Sequence, residues 1–318
     1  MARLIGRDKA LVEFRGVTKQ YGADADLRDV TFVFSQGTSY GLLGGKYSGV
    51  FNAIRLIYCS ALPERGEIEV LGLDTKKMSI KIKNLMGIVP RFDALEQDLT
   101  VYDQLMTFGR FYHLSRPALR NRIRDLVLQL ELADCEGLLI RKLRLFQKKK
   151  VALARALIHS PRLLVIDEVC HGLVVNEKKW IYDQILNLKK SGHDIIVGSS
   201  DPEEIEVLCE NSLLFHRGQL IAEGHPRGLI DKLVGSHVID FECANGEVEY
   251  YFNKLNSDYE VHVTGSRLRV YIKNNQDVRS LQNQISSDHM LTRRPNLEDV
   301  YFKTTGHLLE GNWQHLSL

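Results

Sequence analysis

Three stretches of this chain predict its fold class: a parallel α/β domain joined to a smaller α+β domain. Ser39–Ile57 reads as strand, glycine loop, helix; Arg162–Glu168 is an unbroken apolar run ending in two acids; past Gly235 the strands become short and partly alternating. The first two fit a buried parallel sheet whose functional edge lies at the carboxyl ends of its strands. The third fits antiparallel pairs with one face in water.

Leu11-Val12-Glu13-Phe14 and Val30-Thr31-Phe32-Val33-Phe34 read as strands, with Tyr21-Gly22 in the turn between them. Ser39-Tyr40-Gly41-Leu42-Leu43 is a short apolar run into glycines, and Val50–Ile57 reads as the helix that follows. Gly66-Glu67-Ile68-Glu69-Val70-Leu71-Gly72 is a strand closed by a turn, and Gly87-Ile88-Val89-Pro90 is another. From about Thr100 to Leu157 the pattern is helical, with Leu119, Ile123, Leu126 and Leu130 at near-helical spacing. Asp194–Ser200 is a further buried strand. Composition changes at Leu233-Val234-Gly235. Beyond it Val238–Phe241, Val248–Phe252, Tyr259–Val263 and Leu268–Ile272 read as strands and Val278–Ile285 as a helix. The expected domains are therefore 1–235, with a helical subdomain at about 95–160, and 236–318.

The length of 318 residues suffices for a sizeable core and two domains. Lys+Arg 42 against Asp+Glu 40 leaves +2, which points to no nucleic-acid partner. No apolar run approaches the ~20 residues that span a bilayer, and Met1–Lys9 lacks a signal-peptide apolar core. Five scattered cysteines without a C-x-x-C pair fit reduced thiols in a cytoplasm.

The chemistry is concentrated in Gly41-Leu42-Leu43-Gly44-Gly45-Lys46-Tyr47-Ser48-Gly49-Val50-Phe51-Asn52. A phosphate-binding loop reads G-x-x-x-x-G-K-[ST], in which amides cradle phosphates, the lysine reaches them and the hydroxyl holds Mg²⁺. Gly44 and Gly49 keep that spacing, but Val50 and Phe51 follow. Valine brings no charge, and phenylalanine no oxygen for a hard cation. Gly44, Gly45 and Gly49 with Lys46 can be read as a residual anion nest or as a tight strand-to-helix turn.

The order of glycine loop, helical insert, apolar strand ending Asp167-Glu168 and then Leu220-Ile221-Ala222-Glu223-Gly224 resembles the ATP-binding subunit of ABC transporters. Within that family it is most similar to the subunits of drug and nodulation lipo-oligosaccharide exporters. Gly66–Asp74, Val89-Pro90-Arg91, Ala152–Leu157 and Arg294–Tyr301 resemble further family segments. The resemblance implies a P-loop NTPase-like core and an adenine-stacking aromatic at Tyr21. It also implies a Mg²⁺-associated carboxylate at Asp167 and a general base at Glu168. Its partners would be a membrane-spanning exporter subunit and a second ATPase-like subunit, with the chain at the inner face of the cell membrane.

Several functional positions depart from that pattern. Val50 and Phe51 stand for the lysine and hydroxyl, Arg91 for the coupling glutamine, and Leu143-Arg144-Leu145-Phe146 for Leu-Ser-Gly-Gly. Gly172-Leu173-Val174 stands for Gly-Leu-Asp, and Ser200 for the switch histidine. Phosphoryl transfer is catalysed by positioning and charge, and one lost donor typically costs about 2.7–4 kcal/mol. The expectation is a structural or partner protein that does not hydrolyse ATP, with no catalytic residue and no resident cofactor, only weak ATP and Mg²⁺ binding remaining open. Tyr21, Gly44, Gly45, Lys46, Gly49, Asp167 and Glu168 would be vestigial contacts. The alternative is a functional subunit energising an exporter.

Four smaller expectations complete the reading. Tyr21 either stacks on adenine or packs in its turn. Cys170-His171 beside the acids has no paired ligand set for a metal. Lys148-Lys149-Lys150, opening a helix, reads as a solvated face. Arg91 is placed to neutralise Asp167 or Glu168.

Overall fold

The computed structural model describes residues 10–20, 26–91, 94–244, 246–273, 278–285, 287 and 289–309. They form two compact units, one running to Glu223 and the other spanning Gly224–Leu309.

In the first unit, β1 (Ala10–Lys19), β2 (Leu27–Ser35), β4 (Arg65–Val70) and β5 (Leu73–Asp74) form an antiparallel sheet in the order β2-β1-β4-β5. A second sheet runs β10 (Gln219–Gly224), β9 (Asn211–His216), β3 (Tyr40–Leu43), β8 (Asp194–Ser199), β7 (Leu163–Asp167) and β6 (Met86–Val89). Its strands β3, β6, β7, β8 and β9 are parallel. All residues of β3, β7 and β8 are buried, so these strands carry continuous apolar runs rather than alternation. Helix α1 (Val50–Ile57) packs against β4 of one sheet and against β7 and β8 of the other. The core between the sheets includes a run of stacked rings, Phe14–Phe32 at 4.3 Å, Phe32–Phe34 at 4.6 Å and Phe34–Tyr40 at 4.1 Å between centroids.

Helix α2 (Ser79–Leu85) precedes β6, and the helical insert follows it as α3 (Val101–Arg110), α4 (Arg116–Gln129) and α5 (Leu145–Leu157). Thr100 and Ser115 cap α3 and α4 by accepting the N–H groups of Asp103 and Ala118. Leu119, Ile123, Leu126 and Leu130 are buried, as their spacing predicts. Helix α6 (Val175–Lys190) joins β7 to β8, and α7 (Pro202–Leu208) joins β8 to β9.

The second unit opens on α8 (Pro226–Leu233) and holds a four-stranded antiparallel sheet. Its order is β12 (Glu260–Thr264), β13 (Arg267–Ile272), β11 (His237–Glu242) and β14 (Met290–Arg293). The composition change near Gly235 lies one helix beyond the start of this unit, because α8 packs against α11 (Leu297–Thr305). One expectation is corrected here. Val248–Phe252 is no strand but the start of helix α9 (Val248–Leu255). Tyr251 and Leu255, four residues apart, are buried on one face, while Tyr250 is exposed. Helix α10 (Val278–Gln284) forms where a helix is expected.

Candidate functional site

The glycine loop leaves the carboxyl end of β3 and enters α1 through Gly49, whose φ of 100° lies in the left-handed region. Three of its amides are tied to the protein: Gly44 N–H donates to Ser199 O at 3.2 Å, Ser48 N–H to Gly45 O at 3.1 Å and Val50 N–H to Ser48 Oγ at 3.4 Å. Ser48 is buried, and its carbonyl accepts Gly218 N–H at 2.8 Å. A Cβ on Gly44 would stand 2.5 Å from Ser48 Cβ and 2.8 Å from Phe215 O, so the loop closes on its own serine. Lys46 lies over the Tyr47 ring, 4.8 Å from its centroid. Val50 is buried, and the Phe51 ring faces the Arg55 guanidinium at 5.5 Å. Neither side chain carries an atom that can ligate a cation or donate to a phosphate. Tyr21 lies outside the described residues.

Strand β7 brings Asp167 and Glu168 to the sheet edge, 3% and 5% exposed. Glu168 adopts φ 52°, a left-handed conformation uncommon for a side chain of this kind. Its backbone is held at three points: the N–H donates to Gly198 O at 2.9 Å, and the carbonyl accepts His171 N–H at 3.2 Å and Lys149 Nζ at 3.4 Å. Its carboxylate accepts Ser200 N–H at 2.8 Å, clasping the loop after β8. Burial, reinforced by the Glu168 charge, pushes the Asp167 carboxyl up to about 7; the positive charges of Arg91 and Lys149 pull it down. The Arg91 charge thus favours ionised Asp167 without offsetting the effect of burial.

Three residues escaped sequence reasoning: Glu204, Trp180 and Glu131. Glu204 of α7 is 1% exposed, and its Oε2 accepts the Ser199 hydroxyl at 2.7 Å. Ser199 Oγ in turn accepts Asp201 N–H at 3.0 Å, while Lys178 holds Asp201 at 2.6 Å. The spacing of Glu204, Ile205 and Leu208 along a helix is the one signal that could have placed Glu204 inward. The other two, Trp180 of α6 and Glu131 beyond α4, meet the segment that opens α5. Phe146 meets Trp180 edge-on at 5.4 Å, and Lys150 Nζ lies 4.1 Å from the Trp180 ring centroid. Glu131 accepts both Trp180 Nε1 at 3.1 Å and Lys150 Nζ at 3.0 Å.

This corrects the solvated-face expectation for the three lysines. Lys148 reaches Gln97 at 3.1 Å, Lys149 reaches the Glu168 carbonyl, and Lys150 is buried against aromatic rings. The amphipathic stem of a lysine lets its head find such partners across an element that composition alone reads as wet.

Among the described residues no group of three or more His, Cys, Asp or Glu side chains is arranged to hold a metal ion. None of their helices is long and apolar enough to cross a membrane. All five cysteines are buried and free, and burial pushes the Cys170 thiol up.

The family model described as ABC transporter matches residues 27–171. Nod factor export ATP-binding protein I of Rhizobium etli is 31% identical over 301 residues, covering 94% of this chain and 94% of that protein. The protein of the same name from Rhizobium meliloti is 31% identical, covering 94% of this chain and 89% of its own. Among solved structures, cbiO1 of Clostridium perfringens, part of the ABC transporter complex cbiONQ, superposes with a TM-score of 0.62 at 20% identity over 71% of this chain and 94% of its own. A dimeric ATP-binding cassette bound to ADP and Pi superposes with a TM-score of 0.62 at 21% identity, covering 67% of this chain and 98% of its own.

Proposed function

The chain belongs to the ABC transporter family as an ATP-binding subunit, and from that premise we propose that it does not hydrolyse ATP and acts as a structural or partner half. One observation carries this reading. The helix that should present a lysine and a hydroxyl to phosphate and Mg²⁺ presents Val50 and Phe51, the first buried and the second turned to Arg55. Losing preorganised donors at several positions removes far more transition-state stabilisation than a surviving carboxylate can restore. Glu168 supports the same reading, since its carboxylate holds the Ser200 backbone.

The names of the relatives, Nod factor export proteins, support a membrane-spanning exporter subunit as partner, with the chain in the cytoplasm at the inner face of the membrane. A second ATPase-like subunit would supply any turnover. The retained Gly44–Gly49 frame and the Asp167–Glu168 pair support a second reading. In it the chain is a functional exporter ATPase, and Tyr21, Gly44, Gly45, Lys46, Gly49, Asp167 and Glu168 contact Mg-ATP.

A thermal-shift titration with Mg-ATP, run beside a phosphate-release assay, separates the two. A ligand at ~100 times its Kd adds about 2.7 kcal/mol to stability. The proposal expects no phosphate release, and Val50→Lys with Phe51→Ser is the positive control for recovered nucleotide binding. Phosphate release by the unaltered chain establishes the second reading instead.

A further inference from the structure

Charge is unevenly spread along this chain. Its sum is +2, yet from Gln104 to Arg124 there are five arginines and no aspartate or glutamate. We infer that the corner between α3 and α4 is a basic face that rests on a bilayer surface of anionic phospholipid. Arg110, Arg116 and Arg120 meet headgroup phosphates there, and Phe111 enters the interface. This contact rests on the proposed placement of the chain at the inner face of the cell membrane, and adds the lipid to the partners found there.

Leu119 of α4 packs on Gly109 of α3, so the end of α3, with Arg110 and Phe111, lies beside the first turns of α4. Phe111 is 71% exposed. Arg116, Arg120, Arg124 and Leu128 follow at four-residue steps and are all exposed, which sets them along one ridge of α4. The fold does not account for this ridge. Like charges four residues apart destabilise a helix, and Arg116 puts a cation at the positive end of the α4 dipole. No acid stands in the first turn to offset it. Two of the five arginines have partners in the protein: Arg122 donates to Leu157 O at 2.7 Å, and Arg124 lies 4.0 Å from Asp125. Among the described residues no acidic side chain lies within ion-pair distance of Arg110, Arg116 or Arg120. Other exposed arginines do find acids, as Arg141 does at Asp98 and Arg227 at Asp231. An anionic leaflet supplies the missing charge, at roughly a fivefold gain in affinity per arginine. It also supplies apolar depth at the headgroup boundary for Phe111 and Leu128, which the phosphate backbone of a nucleic-acid duplex does not.

The test is co-sedimentation of the full chain, without nucleotide or exporter subunit, with vesicles of phosphatidylcholine alone and of phosphatidylcholine mixed with phosphatidylglycerol. The chain is expected to bind the mixed vesicles, to ignore the neutral ones, and to be released as added salt screens the surface. Arg110→Gln, Arg116→Gln and Arg120→Gln together should weaken binding about a hundredfold. Lysine at the same three positions should keep it near the parent value, since a leaflet reads charge, whereas a bidentate carboxylate site on a protein partner distinguishes lysine from arginine. Phe111→Ser should weaken binding about tenfold and leave its salt dependence unchanged. The lipid contact is overturned by equal binding to both vesicles, by binding to neither, or by a glutamine or serine variant that binds like the parent. Loss of binding in the lysine variant, or tighter binding of a duplex oligonucleotide than of mixed vesicles at the same salt, overturns it too. The vesicle and salt comparisons need no variant, so they stand even where a variant does not fold. Failure to bind vesicles would sink only the lipid contact, because no exporter subunit is present. Phosphate release by the unaltered chain would sink the proposed function and leave the vesicle result standing.

Discussion

The Ser199 hydroxyl donates to Glu204 Oε2 at 2.7 Å in a place from which water is excluded, directly behind the loop that Glu168 clasps. Burial raises the Glu204 carboxyl from 4.5 to about 7, against the pull of the Ser199 hydrogen bond and with the Glu168 and Asp201 charges adding to the rise. A carboxyl raised on folding contributes stability that is full below its unfolded value and lost as pH climbs through its folded value. Glu204 therefore stabilises the fold below about pH 4.5, and this contribution disappears as pH passes about 7. Glu204→Gln, which cannot ionise, should gain on the parent between about pH 5 and about pH 8 by on the order of 3 kcal/mol. Urea unfolding at both pH values measures the gap, and a gap that does not move contradicts the assignment.

In the second unit, Asp299 is fully buried and accepts two parallel bonds from Arg293, at 2.7 and 2.8 Å, with Arg269 at 3.3 Å. Asp240 bridges the same arginines at 2.6 and 3.0 Å. Replacing Asp299 by Ala strands two guanidinium groups beside a single acid. The expected loss is about 3–5 kcal/mol, read by denaturant unfolding. Hydrogen exchange should localise it to β11, β13 and β14; a loss spread evenly over the molecule would argue against a local network.

Gly44→Ala tests how tightly the glycine loop is closed. The added methyl meets Ser48 and the Phe215 carbonyl inside van der Waals distance, and such overpacking costs about 1–3 kcal/mol. The melting temperature should fall accordingly, and an unchanged value would mean that the loop has room to give.

Lys150 and Trp180 should couple. The ammonium lies over the indole and shares Glu131 with its N–H, a desolvated cation–π contact worth about 0.5–2 kcal/mol. A double-mutant cycle with Lys150→Met and Trp180→Leu measures that energy. Additive effects would show that the two side chains merely share a surface.

The parts of the site legible in the sequence were those set by short-range pattern. Glycine spacing located the loop, the run Leu163–Ile166 located the acids, and Val50–Ile57 was recognisable as a helix because its apolar side chains recur on one face. The parts that were not legible join residues far apart in the chain. Glu131 and Trp180 are 49 positions apart, and nothing near either one announces the other. The same limit explains Val248–Phe252, where a run of β-branched and aromatic residues suits either a strand or a helix until a partner surface selects the period.

By itself the sequence determined which chemistry the chain can carry. Hydrocarbon at positions 50 and 51 and two acids after β7 are matters of covalent identity, unaffected by folding. Tertiary structure alone decided what those groups do. Burial and distance set electrostatic strength, and only the packed sheet edge brings Lys149 to the Glu168 carbonyl, Ser200 to the Glu168 carboxylate and Glu204 to Ser199.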